Sequence, residues 1–250
     1  EDKARKEYEY YKKSYVYYFK ANFKKGENIV EHSYRYDGSS GVGIVDFNYV
    51  WSTISKWKNQ KVDNFEVIVE PGDALIAMPV VKTKDGKEIK WQLAGEGNVD
   101  YAYKENYETN EPYKILYAKL KKGYLYFKTN NFKPEEEFEL TEIKGLRVNY
   151  VFPDKTEKGF KFKDDLTDNA YSIKYLDKDE IKDISDEELK IMRNYPYAMA
   201  GYDFSDKKLK DYFSKFLWYV PTGKDVKLGE ADYEYVKDVD KVINDRKNGK

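Results

Sequence analysis

The amino-acid sequence predicts an α+β protein: a β-rich antiparallel sandwich or partial barrel with one packed helix, followed by a small helical domain. Through the first two thirds of the chain, short segments alternate apolar and polar residues and are separated by turn signals. Beyond residue 184 the apolar residues recur at helical spacing instead. Because the predicted strands do not alternate with helices, a parallel nucleotide-binding sheet is not expected.

The N-terminal segment is predicted to form a short helix or tether over residues 1–14 and then a β-hairpin. Residues 15–23 alternate, Lys24–Glu27 is a turn signal, and Ile29–Tyr36 alternates again. After a loop the apolar residues take helical spacing, which predicts the helix that packs on the sheet, with both of its tryptophans buried. These residues are Ile44, Phe47, Val50, Trp51, Ile54 and Trp57.

Turn signals divide the next hundred residues into short strands. They are Pro71-Gly72-Asp73, Asp85-Gly86 and Lys121-Lys122-Gly123. The strands predicted around them are Phe65–Glu70, Ala74–Lys82, Glu88–Leu93, Tyr113–Leu120, Tyr124–Thr129, Phe138–Ile143, Leu146–Phe152 and Phe160–Phe162.

The acidic stretch Asp177–Asp183 is predicted to be a linker between a β-rich domain, residues 1–180, and a helical domain, residues 181–250. Helices are expected at about 186–200, 206–216 and 230–246.

Local signals mark the ends of these helices. Ser185 and Glu188 have the spacing of a capping box, and Ser205 stands where the second helix needs its N-cap. Gly201 suits the left-handed residue at a helix end. Pro196 should bend or shorten the first helix, because proline removes a backbone hydrogen bond.

The composition argues against several kinds of function. The 250 residues carry a net charge of −1, and only five of the 45 basic residues are arginine, so nucleic acid is not an expected partner. The absence of cysteine excludes disulfides, thiolate zinc sites and cysteine nucleophiles. No apolar run is long enough to span a bilayer. The 26 tyrosines predict a core built largely from tyrosine rings.

The sequence contains no recognisable catalytic, cofactor or metal motif. His32, the single histidine, alternates with apolar strand residues and has no Gly-x-Ser-x-Gly elbow to accompany it. The glycine-rich loop 38–43 fits neither the dinucleotide fingerprint nor a P-loop. One histidine without cysteine leaves only carboxylates for zinc, and the acidic stretches lack the calcium-loop pattern. We therefore predict no enzyme, no cofactor and no metal. Trp91 is left open as a ligand contact, because an exposed flat ring can stack on sugars or peptides.

A series of features near the C-terminus occurs in a recognisable order. It comprises Arg193-Asn194, Tyr197-Ala198, Gly201-Tyr202-x-Phe204, Leu209-x-x-Tyr212-Phe213 and Trp218-Tyr219-x-Pro221. This series resembles the YARHG domain, a small module attached to bacterial extracytoplasmic proteins, over roughly the last quarter of the chain. The resemblance implies structural roles for Arg193, Asn194, Tyr197, Ala198, Gly201, Phe204, Trp218 and Tyr219. We expect Arg193 to find a carboxylate partner at Glu230, Asp232 or Glu234.

This copy reads Tyr197-Ala198-Met199-Ala200-Gly201 and so lacks the arginine and histidine of the family's signature. We therefore expect a structural or docking module rather than a ligand site at this position.

The resemblance implies a protein of the cell envelope or a secreted protein, and a lipid anchor upstream of Glu1 is compatible with it. The leading hypothesis is a non-catalytic protein that binds or scaffolds, with a cell-wall polymer or an envelope protein as partner. One alternative is a carboxylate-based hydrolase of cell-wall glycan or peptide, and another is a β-domain that encloses a small ligand. Two close carboxylates with raised pKa values would favour the hydrolase, a shallow aromatic groove the binder, and a deep apolar cavity the small-ligand protein.

Overall fold

The computed structural model describes residues 20–41, 43–83, 85–105, 112–134, 136–144 and 184–249. Within them it contains a seven-stranded antiparallel sheet that is not closed, and three helices that follow it, which confirms the predicted α+β class. The strands are β1 (Ser39–Gly41), β2 (Ile44–Tyr49), β3 (Val62–Val69), β4 (Leu75–Pro79), β5 (Gln92–Glu105), β6 (Pro112–Phe132) and β7 (Phe138–Ile143). The helices are α1 (Asp186–Met199), α2 (Lys207–Phe213) and α3 (Glu230–Lys247), and a 3-10 helix spans Ser52–Lys56.

The described residues up to Tyr36 belong to one compact unit, and those from Asp37 onward belong to a second. In the first unit the prediction of a strand over Ile29–Tyr36, the second arm of the hairpin, is wrong, because these residues do not form a strand. Its apolar side chains are accordingly exposed rather than buried against a sheet. The turn itself is present, since the Lys24 N–H donates to Asn28 Oδ1 at 2.9 Å. Residues 1–19, with the predicted helix and most of the first arm, lie outside the described part.

The helix predicted over residues 44–57 is also wrong. Strand β2 occupies its first half and pairs with β7 from Ile44 opposite Ile143 to Tyr49 opposite Phe138. β-branched and aromatic residues fit a pleated sheet, so strand pairing overrides the helical spacing. Only the 3-10 helix remains, and Trp57 follows it in extended backbone, where its ring is 54% exposed instead of packed.

Strand β6 replaces the hairpin predicted at Lys121-Lys122-Gly123. It runs for 21 residues and pairs with β5 from Pro112 to Tyr126. Gly123 faces Gly95 across this pair, and a Cβ on Gly123 would lie only 2.0 Å from the Ala94 carbonyl oxygen. The glycine is therefore required for close approach of two backbones rather than for a turn. A β-bulge between Glu96 and Gly97 shifts the register beside it.

The sheet order is β1-β2-β7-β4-β6-β3, and β5 lies on the other side of β6. The first half of β6 pairs with β4 and the second half with β3. Alternate residues of β4 and β6 enter two different cores, because neighbouring strand residues point to opposite faces. Leu75, Ala77, Ile115 and Tyr117 enter the helix-side core, which they share with the inner faces of α1, α2 and α3. The aromatic core on the other face contains Trp51, Ile54, Ile76, Met78, Val81, Ile89, Trp91, Leu116, Ala118, Leu120, Leu125, Phe127 and Phe132.

The helices begin and end almost where the sequence predicts. The capping box is present, because the Ser185 N–H donates to Glu188 Oε2 at 2.7 Å and the Glu188 N–H donates to Ser185 Oγ at 3.2 Å. Helix α1 continues through Pro196 to Met199. The cap predicted for α2 is wrong, because Asp206 rather than Ser205 accepts from the first free N–H groups of that helix.

The predicted strands at 146–152 and 160–162 and the linker at 177–183 lie outside the described residues. The division at residue 180 therefore stays a prediction. In the described part, the helices and the sheet are joined by the helix-side core.

Candidate functional site

The candidate site is the outward surface of the sheet along the second half of β6, where β3, β6 and β5 lie side by side. Phe65, Val67, Leu125 and Phe127 point inward to the aromatic core. Their strand neighbours therefore point outward. We call this surface the tyrosine face, and it consists of Glu66, Ile68, Gln92, Tyr124, Tyr126 and Lys128.

The strand register brings these side chains together. Tyr126 lies between Gln92 of β5 and Ile68 of β3, and Lys128 lies opposite Glu66. The Tyr126 hydroxyl donates to Gln92 Oε1 at 2.8 Å. The rings of Tyr124 and Tyr126 have centroids 5.9 Å apart and planes inclined by 64°. Both tyrosines are half-buried, and the Ile68 side chain is 50% exposed.

The charges of the tyrosine face cancel. Lys128 Nζ lies 3.0 Å from Glu66 Oε1, and this hydrogen bond raises the pKa of the lysine. The hydroxyls of Tyr126 and Tyr124 lie close enough to the ammonium group to raise that pKa further. The site thus combines two aromatic rings and an exposed aliphatic side chain with a connected row of hydrogen-bonding groups and no net charge.

A concave place, separate from the tyrosine face, lies where the 3-10 helix meets β4 and β7. It is a shallow cleft of about 270 Å³, a volume that includes open solvent, lined by Trp51, Pro79, Val80, Val81, Lys82, Glu136, Glu137, Phe138 and Glu139. The Trp51 and Ser52 N–H groups donate to Glu137 Oε2 at 2.7 and 3.0 Å. Hydrogen bonding from Ser52 therefore lowers the pKa of Glu137. This carboxylate holds the start of the 3-10 helix, and its charged form is the form that these donors stabilise.

Wherever a described carboxyl group has a pKa that departs from its ordinary value, the pKa is lowered. Hydrogen bonds are the largest cause in each case, and the groups are Asp85, Glu96, Glu137, Asp203 and Asp206. In the described part of the chain, no group of three or more His, Asp or Glu side chains is placed to hold a metal ion.

Trp91, the predicted ligand contact, lies in the aromatic core rather than on the tyrosine face. Its side chain is 7% exposed, and its ring meets the edge of Phe127 at a centroid distance of 4.8 Å. Within the described ranges its Nε1–H has no hydrogen-bond partner. A ligand contact at Trp91 stays a prediction. The sequence marks Tyr124 and Tyr126 as strand residues, but alternation alone does not tell which face of a sheet another layer covers.

Arg193 and Asn194 make contacts within the helical part. Arg193 Nε donates to Asp240 Oδ1 at 2.6 Å, and the guanidinium lies 5.9 Å from the centroid of the Tyr197 ring. Asn194 Nδ2 donates to the Lys190 carbonyl at 2.7 Å. The expected partners Glu230, Asp232 and Glu234 are too near the start of α3. Helices α1 and α3 run antiparallel, as the Asp186–Arg246 pair at 2.8 Å also indicates, so Arg193 meets the middle of α3.

The other residues of the motif are packed in the helix-side core or fix the turn after α1. Ala198, Phe204, Trp218 and Tyr219 are buried. Phe204 stacks on Phe213 at 5.3 Å, and the Tyr219 hydroxyl donates to the Tyr202 carbonyl at 2.9 Å. Gly201 has φ +82°, and its carbonyl accepts from the Thr222 N–H at 2.8 Å.

Asn98 ties this helical part to the sheet, and sequence reasoning missed it. Its Nδ2 donates to the carbonyls of Leu217 at 2.8 Å and Tyr219 at 3.2 Å. The residue follows Gly97, where the register shifts because Lys121 of β6 has no partner in β5. A polar residue after a glycine in a strand gives no signal of a partner 120 residues away.

Comparison with known proteins identifies the C-terminal part. Residues 165–244 match the family model of the YARHG domain, and no family model matches the N-terminal region. The C-terminal part is therefore a YARHG domain, which is a domain of extracytoplasmic proteins. A comparison with curated proteins gives no match. No helix in the described part combines the length and apolar character needed to cross a membrane.

One similar solved structure is a protein from Legionella pneumophila described as a "putative nutrient binding protein". The two chains are 18% identical, with a TM-score of 0.44 over 80% of this chain and 53% of that one. The chain thus spans about half the length of that protein.

Proposed function

We propose that the protein is a non-catalytic, extracytoplasmic binding protein that holds a cell-wall polymer on the tyrosine face. The observation that carries the proposal is the continuous row of Gln92, Tyr126 and Ile68 across three strands, with Tyr124 beside it. Exposed apolar groups bordered by polar groups are typical of binding surfaces. Neighbouring strands lie about 4.8 Å apart, so the row is about 10 Å wide.

The location of the protein is supported by the YARHG domain, since such domains belong to extracytoplasmic proteins. The helical part contributes packing and a fixed attachment to the sheet rather than a ligand site. Its motif residues Arg193, Tyr219 and Gly201 are all engaged with other groups of the fold.

The non-catalytic character is supported by the surroundings of the described carboxyl groups. A glycoside hydrolase needs a carboxylic acid that stays protonated long enough to donate its proton, so its pKa is raised. The described carboxyl groups with shifted pKa values are all shifted downward, Glu137 in the cleft among them.

The proposal is tested by retention of the full chain on purified, insoluble bacterial cell wall. Tyr126→Ala removes the central ring of the tyrosine face, and Tyr233→Ala removes a tyrosine that is 49% exposed on α3, outside this face. We expect Tyr126→Ala to weaken retention about tenfold, which corresponds to about 1.4 kcal/mol, whereas Tyr233→Ala binds like the wild type. The melting temperature of each variant is measured beside it, so that unfolding is not mistaken for lost binding.

Three results would contradict the proposal. Wild-type protein that is not retained on the wall would remove the polymer as partner. Equal retention of the wild type and Tyr126→Ala would move the binding surface elsewhere. Release of soluble sugars or peptides from the wall during incubation would show a hydrolase.

A further inference from the structure

We infer that the tyrosine face takes a neutral, single glycan chain, and that it selects against anionic polymers and flat crystalline surfaces. The inference rests on the proposed function and adds the chemical class of the ligand. It follows from the charge balance of the face, the angle between its two rings and the position of its free hydrogen-bond donors.

The charge balance argues against a strongly anionic polymer. On the tyrosine face one carboxylate, Glu66, is paired with one ammonium group, Lys128, at 3.0 Å. At the borders, exposed Glu70 follows β3 and exposed Lys90 precedes β5, and beside Tyr124 the ammonium groups of Lys121 and Lys122 share the carboxylate of Glu96. The face and its borders therefore carry one net positive charge. Binding of a phosphate or sulfate polymer uses a cluster of unpaired lysine and arginine side chains, whereas each of these border and face lysines next to the tyrosines lies within 4 Å of a carboxylate.

The rings indicate a sugar rather than an aliphatic chain as the neutral ligand. Sugar rings present C–H groups on one face and hydroxyls around the edge. Tyr124 and Tyr126 offer flat apolar area for the C–H groups. Both rings belong to one strand and their centroids lie 5.9 Å apart, so consecutive sugar units can each contact a ring.

The angle between the rings selects a single chain. Their planes are inclined by 64°, so the two rings do not form one flat plane. A crystalline polysaccharide surface is flat and would meet only one ring. A separate chain can turn between successive units and follow both rings.

The polar groups are placed for the hydroxyl edge of the sugar. Gln92 Oε1 already accepts from the Tyr126 hydroxyl at 2.8 Å, which fixes the orientation of the amide. Within the described ranges the two Nε2–H donors of Gln92 have no partner of their own, so they are available to sugar oxygens. Glu66 and Lys128 supply an acceptor and a donor one step further along the strands. The sugar hydroxyls that face the sheet would thus hydrogen-bond to the Gln92 amide and to the Glu66–Lys128 ion pair.

The test uses the full chain and three soluble or solid probes: a β-linked hexamer of N-acetylglucosamine, heparin as a polyanion, and microcrystalline cellulose as a flat surface. Binding to the first two is measured by titration calorimetry and to the third by sedimentation. We expect the hexamer to bind and the other two probes to bind at least tenfold more weakly.

Three variants of the tyrosine face and one control variant separate the contributions. Tyr124→Ala and Tyr126→Ala should each weaken hexamer binding about tenfold. Tyr126→Phe keeps the ring but releases the Gln92 amide, so we expect a loss of about threefold. Tyr233→Ala, outside the face, should leave hexamer binding unchanged.

The outcomes distinguish this inference from the proposed function. Retention on whole cell wall that depends on Tyr126, without hexamer binding, would overturn the neutral-glycan ligand and leave the binding surface intact. Tighter binding of heparin than of the hexamer would overturn the charge argument. Equal binding to cellulose and the hexamer would overturn the single-chain selection, and hexamer binding unaffected by both alanine substitutions would overturn the site.

Discussion

Two buried tyrosines, Tyr219 and Tyr235, should respond in opposite directions when their hydroxyl groups are removed. The Tyr219 hydroxyl donates to the Tyr202 carbonyl at 2.9 Å. Tyr235 is 8% exposed, and within the described part of the chain its hydroxyl has no hydrogen-bond partner. Substitution by phenylalanine keeps each ring in the helix-side core and removes only the oxygen.

The magnitudes follow from the cost of unpaired polar groups. Tyr219→Phe loses one hydrogen bond and leaves a partly buried carbonyl, so it should lower the free energy of unfolding by about 1–2 kcal/mol. Tyr235→Phe removes a hydroxyl that is buried without compensation, so it should raise that free energy by about 1 kcal/mol. The two variants should therefore differ by about 2–3 kcal/mol.

The assay is urea unfolding, followed by circular dichroism for the helices and by tryptophan fluorescence for the core around Trp218. Destabilisation of Tyr235→Phe by about 1 kcal/mol or more would refute the reasoning, because a well-paired hydroxyl behaves in that way. Unchanged stability of Tyr219→Phe would show that its hydrogen bond to Tyr202 contributes nothing.

The burial of Tyr235 also leads us to predict that the stability of the protein falls at alkaline pH. Burial raises the pKa of Tyr235 above its ordinary value of 10.0, because the folded protein favours the neutral phenol. The unfolded chain ionises first, so the stability from this group is complete below pH 10.0 and is lost as the pH rises above it. Tyr235→Phe should therefore lose less stability than the wild type between neutral pH and pH 11.

Three further substitutions test the packing of the helical part. Asn98→Ala should lower the free energy of unfolding by about 1–3 kcal/mol, because it leaves two carbonyls without their donor. The control Asn64→Ala, at an exposed strand position, should change it by less than about 0.5 kcal/mol. Equal effects of the two variants would contradict the attachment of the helical part through Asn98. Gly201→Ala should lower the free energy of unfolding by about 1–2 kcal/mol, because φ is +82° and a Cβ would lie 2.8 Å from the Thr222 hydroxyl. A Cβ on Gly223 meets open space, so Gly223→Ala serves as the control. Similar urea midpoints for the two variants would refute this account. Arg193→Ala should lower the melting temperature by a few degrees, corresponding to about 1 kcal/mol, since the ion pair of Arg193 with Asp240 is about one-third exposed. An unchanged melting temperature together with lost wall binding would show that Arg193 contacts the ligand instead.

The helical part was predictable because its signals are local. The Ser185 capping box, the glycine after α1 and the spacing of the apolar residues each act within one or two turns of a helix. The predicted partner of Arg193 was wrong because the partner depends on how α1 and α3 align, and their antiparallel alignment places Asp240 next to Arg193.

The β-rich part was less predictable because its strands are defined by distant partners. Residues 44–49 have a helical spacing of apolar residues, yet pairing with β7 almost one hundred residues later makes them a strand. Gly123 reads as a turn in the sequence, although its role is to let β6 approach Gly95 of β5. The tyrosine face was missed for a related reason, because only the assembled sheet shows which face stays uncovered.

Titration of the isotope-labelled full chain with the N-acetylglucosamine hexamer, followed by NMR, tests the central claim most directly. The predicted result is a set of amide shift changes confined to 62–69 in β3, 90–94 at the start of β5 and 124–130 in β6. Changes concentrated in α1, α2 and α3, or along the cleft at Trp51 and Glu137, would contradict the tyrosine face as the binding surface.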